Sequence, residues 1–157
     1  MAGGRTVTEP SADDLRAAAE ALATGVADQT GERLDFSPAS LEILDAVLEQ
    51  WRDLAGTYGD ERPPDLAALV GPAAAYLGEV LIRSLGGRWI AEPDGERAAT
   101  PHVLLTGRNR SNEQPRAAVR VDVVRIAHES LGGQAGSAFA ACYAAVREAV
   151  DSDPARM

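Results

Sequence analysis

At 157 residues the chain fits one domain, long enough to bury a core without disulfide or metal support. Its 24 acidic residues against 15 cations give a formal net charge of −9, which argues against general nucleic-acid binding, a chemistry that needs a basic footprint. A single cysteine, Cys142, excludes an internal disulfide framework and supplies no metal-ligand pair.

Apolar runs fall short of the roughly 20 residues that a membrane span requires. Residues 1–10 carry Arg5 and Glu9 without an apolar centre, so no secretory signal is read there. A cytoplasmic location with no membrane partner is the expectation. The charge is uneven: residues 1–65 contain 14 acids and 5 arginines, whereas residues 66–147 contain 7 acids and 9 arginines. Every cation is arginine. With the alanine excess, that reads as GC-rich codon usage before it reads as selection for guanidinium chemistry.

Residues 1–10 are expected to be disordered and residues 151–157 to fray, leaving 11–150 as a single α+β domain. Ser11 has the profile of an N-cap, and Asp13 and Asp14 suit the positive end of a helix dipole. Leu15, Ala18, Ala19, Leu22 and Val26 recur at helical spacing and predict a helix over 12–28. Its alanine-rich stripe is weakly hydrophobic, so it is expected to be the least firmly held helix. Small residues also permit close approach of a second copy, which makes a homodimer one partner expectation.

Asp35-Phe36-Ser37-Pro38 predicts the next helix start, with Ser37 as cap, Pro38 in the first position and Phe36 stapled onto Leu41. Leu41, Leu44, Val47, Leu48, Trp51, Leu54, Ala55 and Tyr58 mark one apolar face. Glu42, Asp45, Glu49, Arg52 and Asp53 fall opposite and make that side acidic. It is either plain solvated surface or a docking surface for a basic protein partner.

Gly59 to Pro64 reads as a turn-rich linker, and Asp65 caps a third helix over 66–85 that Pro72 either kinks or starts. Leu66, Leu69, Val70, Ala73, Leu77, Val80, Leu81 and Ser84 form its core stripe. Gly78 costs about 1 kcal/mol relative to alanine in a helix interior, so a second backbone is expected against it. Gly86-Gly87 supplies a left-handed C-cap, and a short strand over Arg88 to Ala91 follows.

Pro93-Asp94-Gly95 signals a turn and the connection to Pro101 is polar. His102 to Thr106 reads as a second strand, with Val103 and Leu105 facing away from His102, Leu104 and Thr106. After a loop over 107–115, Ala117, Val119, Val121 and Val123 alternate with Arg116, Arg120 and Asp122 as a third strand. Consecutive Val123-Val124 predict a strand end that is bulged or buried on both faces. Gly132-Gly133 then separates the sheet from a last helix over 134–150, buried along Phe139, Cys142, Tyr143, Val146 and Val150. The predicted fold is α+β: N-terminal helices packed on a three-stranded antiparallel meander, closed by a C-terminal helix.

Tyr76, Glu79 and Arg83 share one side of the third helix, off its main stripe. Glu79 and Arg83 stand at i,i+4 and predict an ion pair anchoring this helix against the sheet. In the functional alternative, Glu79, Trp89 and an arginine of the third strand line a pocket for a small molecule or an anion. A carboxylate without a partnered base does not make a catalytic site, so no enzyme is expected. His102 and His128 lie on different elements without ligands at metal spacing, so neither metal nor cofactor is expected. Cys142 shares a face with Phe139 and Val146 and reads as a core residue. Arg108 and Arg110 in the loop, with Arg116 and Arg120 on the following strand, form either a site for an anion or acidic partner or a solvated hairpin tip.

The segment from Tyr76 to Trp89 reads Tyr-Leu-Gly-Glu-Val-Leu-Ile-Arg-Ser-Leu-Gly-Gly-Arg-Trp, with Phe36-Ser37-Pro38 opening the helix upstream. It resembles a group of uncharacterised bacterial domains of unknown function, in which a Tyr-Leu-Gly-Glu…Leu-Gly-Gly-x-Trp pattern ends a helix before a small antiparallel sheet. The resemblance spans roughly residues 34–126. It implies a binding or immunity-type module rather than an enzyme, and it carries over no catalytic residues.

Overall fold

The computed structural model describes residues 11–57, 66–94, 97–105, 119–131 and 138–151. In chain order the elements are α1 (Ala12–Thr30), α2 (Ser40–Thr57), α3 (Leu66–Leu85), β1 (Gly87–Asp94), β2 (Arg97–Leu105), β3 (Val119–Val121), α4 (Val123–Leu131) and α5 (Phe139–Asp151). The architecture is α+β, and the strands form an antiparallel meander in the order β1-β2-β3. The expectations for residues 1–10, the linker over 59–64, the turn at Gly95, the loop over 107–115, Gly132-Gly133 and the tail over 152–157 lie outside the described residues.

Helix α1 opens on a reciprocal capping box: Ser11 Oγ accepts the Asp14 N–H, and the Asp14 carboxylate accepts the Ser11 N–H, both at 3.1 Å. It ends at Gly31, whose φ of 77° is left-handed and whose N–H reaches the Ala27 carbonyl at 2.9 Å. Leu15, Ala19, Leu22 and Val26 are buried along one stripe, and α1 against α3 is the most extensive contact between helices. Of the alanines that lower its hydrophobicity, Ala19 is buried in this stripe, whereas Ala17, Ala21 and Ala27 are exposed.

Helix α2 begins later than predicted, because Pro38 and Ala39 occupy a tight turn ahead of Ser40. Ser37 still caps it: its hydroxyl and its carbonyl both accept the Ser40 N–H, at 3.2 and 3.0 Å. Asp35 braces the cap by accepting the Ser37 N–H at 3.0 Å and its hydroxyl at 2.5 Å, and these bonds hold the Asp35 carboxyl below its ordinary range. Leu41, Leu44, Val47, Leu48 and Trp51 are buried as the periodicity predicts. The side chains of Leu54 and Ala55, and Tyr58 as a whole, lie outside the described residues.

Helix α3 runs unbroken through Pro72 and is buried on every side from Ala73 to Leu81. The stretch Ala68–Leu85, with mean hydropathy 1.3, is long and apolar enough by composition to cross a membrane, although Glu79 and Arg83 interrupt its apolar run. In this fold its apolarity meets α1, α4 and the sheet, as befits a helix that is hydrophobic all round. Gly86, at φ 81°, closes the helix with its N–H on the Ile82 carbonyl at 3.0 Å.

Both of the first two strands are longer than predicted. The polar stretch read as a connection is the first half of β2, paired with β1 across an irregularity between Glu92 and Asp94. Trp89, Val103 and Val121 stand in register on the face toward α3, while Arg88, Leu104 and Arg120 stand in register on the other face. The third strand ends at Val121, earlier than predicted, and its expected start at Arg116 and Ala117 lies outside the described residues. Asp122 Oδ1 accepts the Arg125 N–H at 3.1 Å, so Val123 and Val124 open helix α4 instead of bulging a strand. The sequence reading contains no such helix. Helix α5 starts at Phe139, later than position 134, and extends to Asp151.

Candidate functional site

The central polar cluster grows out of α3. Glu79 is 3% exposed, so it lies inside the protein and not off the core stripe. Its Oε2 accepts from Arg83 Nε at 3.2 Å, its Oε1 accepts from Trp89 Nε1 at 3.1 Å, and Arg16 Nε of α1 stands 4.0 Å away. One carboxylate therefore ties three elements together. The expected i,i+4 ion pair with Arg83 is present, and the contact to the sheet comes through the indole of Trp89.

That indole also explains Gly78. A Cβ at this position would lie 2.0 Å from Trp89 Cη2, so the glycine makes room for a side chain and not for a backbone as expected. The Arg83 guanidinium lies 4.0 Å over the Phe36 ring, and that ring sits 4.7 Å from Tyr76. Phe36 thus finds its ring partners on α3. It holds a left-handed φ of 62°, and its N–H donates to Tyr76 Oη at 2.9 Å. Tyr76 Oη and Ser40 Oγ are 2.6 Å apart, and burial raises the Tyr76 phenol above its ordinary value, which keeps it a neutral hydrogen-bonding group. Among the described residues no buried side-chain nitrogen or oxygen lacks a hydrogen-bond partner.

The acidic side of α2 divides in two. Asp45 reaches across to α5, accepting the Phe139 N–H at 2.7 Å and the Ala140 N–H at 3.0 Å, and so caps a helix it does not belong to. Burial raises its carboxyl above the usual range against the opposing pull of those two N–H groups. Arg52 donates to the Ser130 carbonyl near the end of α4 at 2.9 Å. These two residues are clamps, which corrects the reading of the whole side as solvated. Glu42, Glu49 and Asp53 are exposed.

Next to the exposed acids lies an open groove of about 610 Å³ between the end of α1 and the outer side of α2. Its apolar lining is Ile43, Ala46 and Val47, and its polar lining includes Glu32, Glu42 and Gln50. Neither Glu32 nor Glu42 has a cationic partner among the described residues. Helix α1 also carries no basic residue in its last turn, so the negative end of its dipole adds to the same field.

The remaining candidates lie elsewhere. Arg108, Arg110 and Arg116 are outside the described residues. Arg120 is exposed on β3, on the sheet face opposite Trp89, so the strand stands between it and Glu79. His102 Nε2 lies 3.5 Å from Asp122 Oδ2, the carboxylate that caps α4, and His128 is exposed on α4. Among the described residues no group of three metal-binding side chains comes together. Burial pushes the Cys142 thiol up to about 11, as suits a packed residue and not a nucleophile.

Sequence spacing reveals the Glu79–Arg83 pair, because i,i+4 is a local relation. It does not reveal the Tyr76–Ser40–Phe36 cluster, whose members are 36 and 40 positions apart and carry no shared periodic signal. The groove is likewise invisible until two helices are placed side by side.

Fold and sites together define a small α+β domain in which the buried Glu79 is hydrogen-bonded within the chain and Glu32, Glu42 and Glu49 are exposed. The chain belongs to a family of unknown function, DUF6278, whose match covers residues 5–113, more than half of its length. That span takes in α1 through β2, including the corner from Tyr76 to Trp89. No curated protein and no solved structure matches the chain.

Proposed function

We propose that this chain is a non-catalytic protein-interaction domain whose working surface is the acidic side formed by α1 and α2, and whose partner is basic. The observation that carries this reading is the separation of charge. Residues 11–57 hold ten acids against three arginines, and Glu32 and Glu42 among them are exposed, with no ion-pair partner among the described residues. The groups that a catalytic reading would recruit are engaged otherwise: Glu79 by Arg83 and Trp89, Asp45 by the start of α5, and Cys142 by its packing. A surface of one sign accelerates encounter with a partner of the other and suppresses like-charged competitors. Neutralising a basic partner, as an immunity or regulatory protein does, is the form that the sequence resemblance favours.

The test is capture from a lysate of the source organism at low salt, with the full chain as bait. A basic protein retained at low salt and released as salt rises is the expected result. Recovery of the bait alone would remove the heteromeric reading, and mass in solution would then report whether the chain pairs with itself.

A further inference from the structure

We propose that the groove between the end of α1 and the outer side of α2 seats one amphipathic, basic helix of the partner; the proposal rests on the protein-interaction reading above and gives it an address. Three observations select this occupant. The groove follows α2 along two helical turns, with Glu42, Ala46 and Gln50 on one i,i+4 row and Ile43 and Val47 on the next. Such rows leave a furrow of the spacing that the side-chain ridge of another helix fills, over a length of about 12 Å. Ala46, small and exposed, allows close approach midway along it.

The chemistry of the lining is two-sided. Ile43 and Ala46 offer an apolar strip with the buried Val47 at its floor, and Glu32 and Glu42 flank it with carboxylates that have no cationic partner among the described residues. An incoming helix with apolar residues at i, i+3, i+4 and i+7, bordered by lysine or arginine, satisfies both at once. The lining residues come from helices and the turn after α1, so no strand edge is available there for backbone pairing with an extended peptide.

The probe is a fluorescein-labelled 14-residue peptide of leucine and lysine patterned as an amphipathic helix. Its control is a peptide of the same composition, scrambled so that no apolar face forms. Anisotropy titrations on the full chain are expected to show tighter binding of the patterned peptide. Ala46→Arg, which fills the groove with a good helix former, is expected to weaken that binding at least about tenfold while leaving the circular dichroism melt unchanged. The double variant Glu32→Gln with Glu42→Gln is expected to weaken it about threefold to tenfold at low salt, with the difference vanishing as salt rises.

Equal binding of patterned and scrambled peptides would overturn the proposal, as would indifference to both variants. Spermidine displacing the peptide completely, with peptide order irrelevant, would assign the groove to small organic cations instead. Failure here separates from failure of the broader reading. A lysate partner that still binds the Ala46→Arg chain leaves the interaction domain standing and removes the groove.

Discussion

Helix α3 and the outer side of α2 both carry carboxylates, and they handle them in opposite ways. On α3, Glu79 is buried and receives Arg83, Trp89 and the approach of Arg16, so its charge holds a helix against a sheet. On α2, Glu42 and Glu49 stand exposed over a groove or beside it and have no ion-pair partner among the described residues. A charge inside a protein must be compensated by its neighbours, whereas one outside can be left for a visitor. The difference teaches where to look for work done on other molecules: at the uncompensated charge and not at the richest internal network.

Substitutions that break this contrast have graded effects on folding. Glu79→Ala removes the acceptor of the Trp89 N–H and of Arg83 Nε and is expected to cost about 3 kcal/mol, less than a fully enclosed pair because Arg83 is partly open to water. Urea unfolding measures it, and a loss under about 1 kcal/mol would mean that the cluster is ornamental. Gly78→Ala forces a methyl group into the Trp89 indole and is expected to cost about 2 kcal/mol, even after the roughly 1 kcal/mol that alanine gains in a helix. The double variant Gly78→Ala with Trp89→Leu, set against Trp89→Leu alone, is the sharper comparison, since without the indole the added methyl group meets no clash. Asp45→Ala strips the remote cap from α5 and is expected to cost about 1–2 kcal/mol.

The thiol of Cys142 gives a comparable effect along a different axis. Its folded value lies above its unfolded value of 9.0, so its contribution to stability is complete below pH 9.0 and is lost as pH rises through about 11. About 1 kcal/mol should disappear between pH 8 and 10, and Cys142→Ser should flatten that slope; an unchanged slope would place the thiol in water. At the small end, Glu49→Gln is expected to shift stability by less than about 0.5 kcal/mol, a change that thermal melts can bound. A large loss there would mean that the acidic side is structural after all.

Much of the architecture is written in local pattern. The capping pair around Ser11, the 3.6-residue stripes of the first three helices and the glycine corner at Gly86 all follow from relations within a few residues. Helix α4 escapes that approach because it is short and because Val119, Val121, Val123 and Val124 prolong a β-branched run across its start. Only the capping role of Asp122 separates strand from helix there, and an aspartate in a strand-like pattern does not announce it. The depth of Glu79 was hidden for a related reason: an i,i+4 pair looks like surface until the helix is known to be enclosed. For the candidate groove, the acidity was legible and the gap was not, since a gap exists only once two helices have taken their places.

The bond from Asp45 to the opening of α5 spans 94 positions in the chain. A 13-residue helix has little tendency to persist by itself in water, and this one receives its start signal from the far end of the sequence. The start of α5 is therefore coupled to α2, and we predict that a refolding chain gains this helix only after α2 is seated. In refolding experiments, α5 should acquire hydrogen-exchange protection late, and Asp45→Ala should expose Phe139 and Ala140 amides to exchange before any other part of the fold loosens.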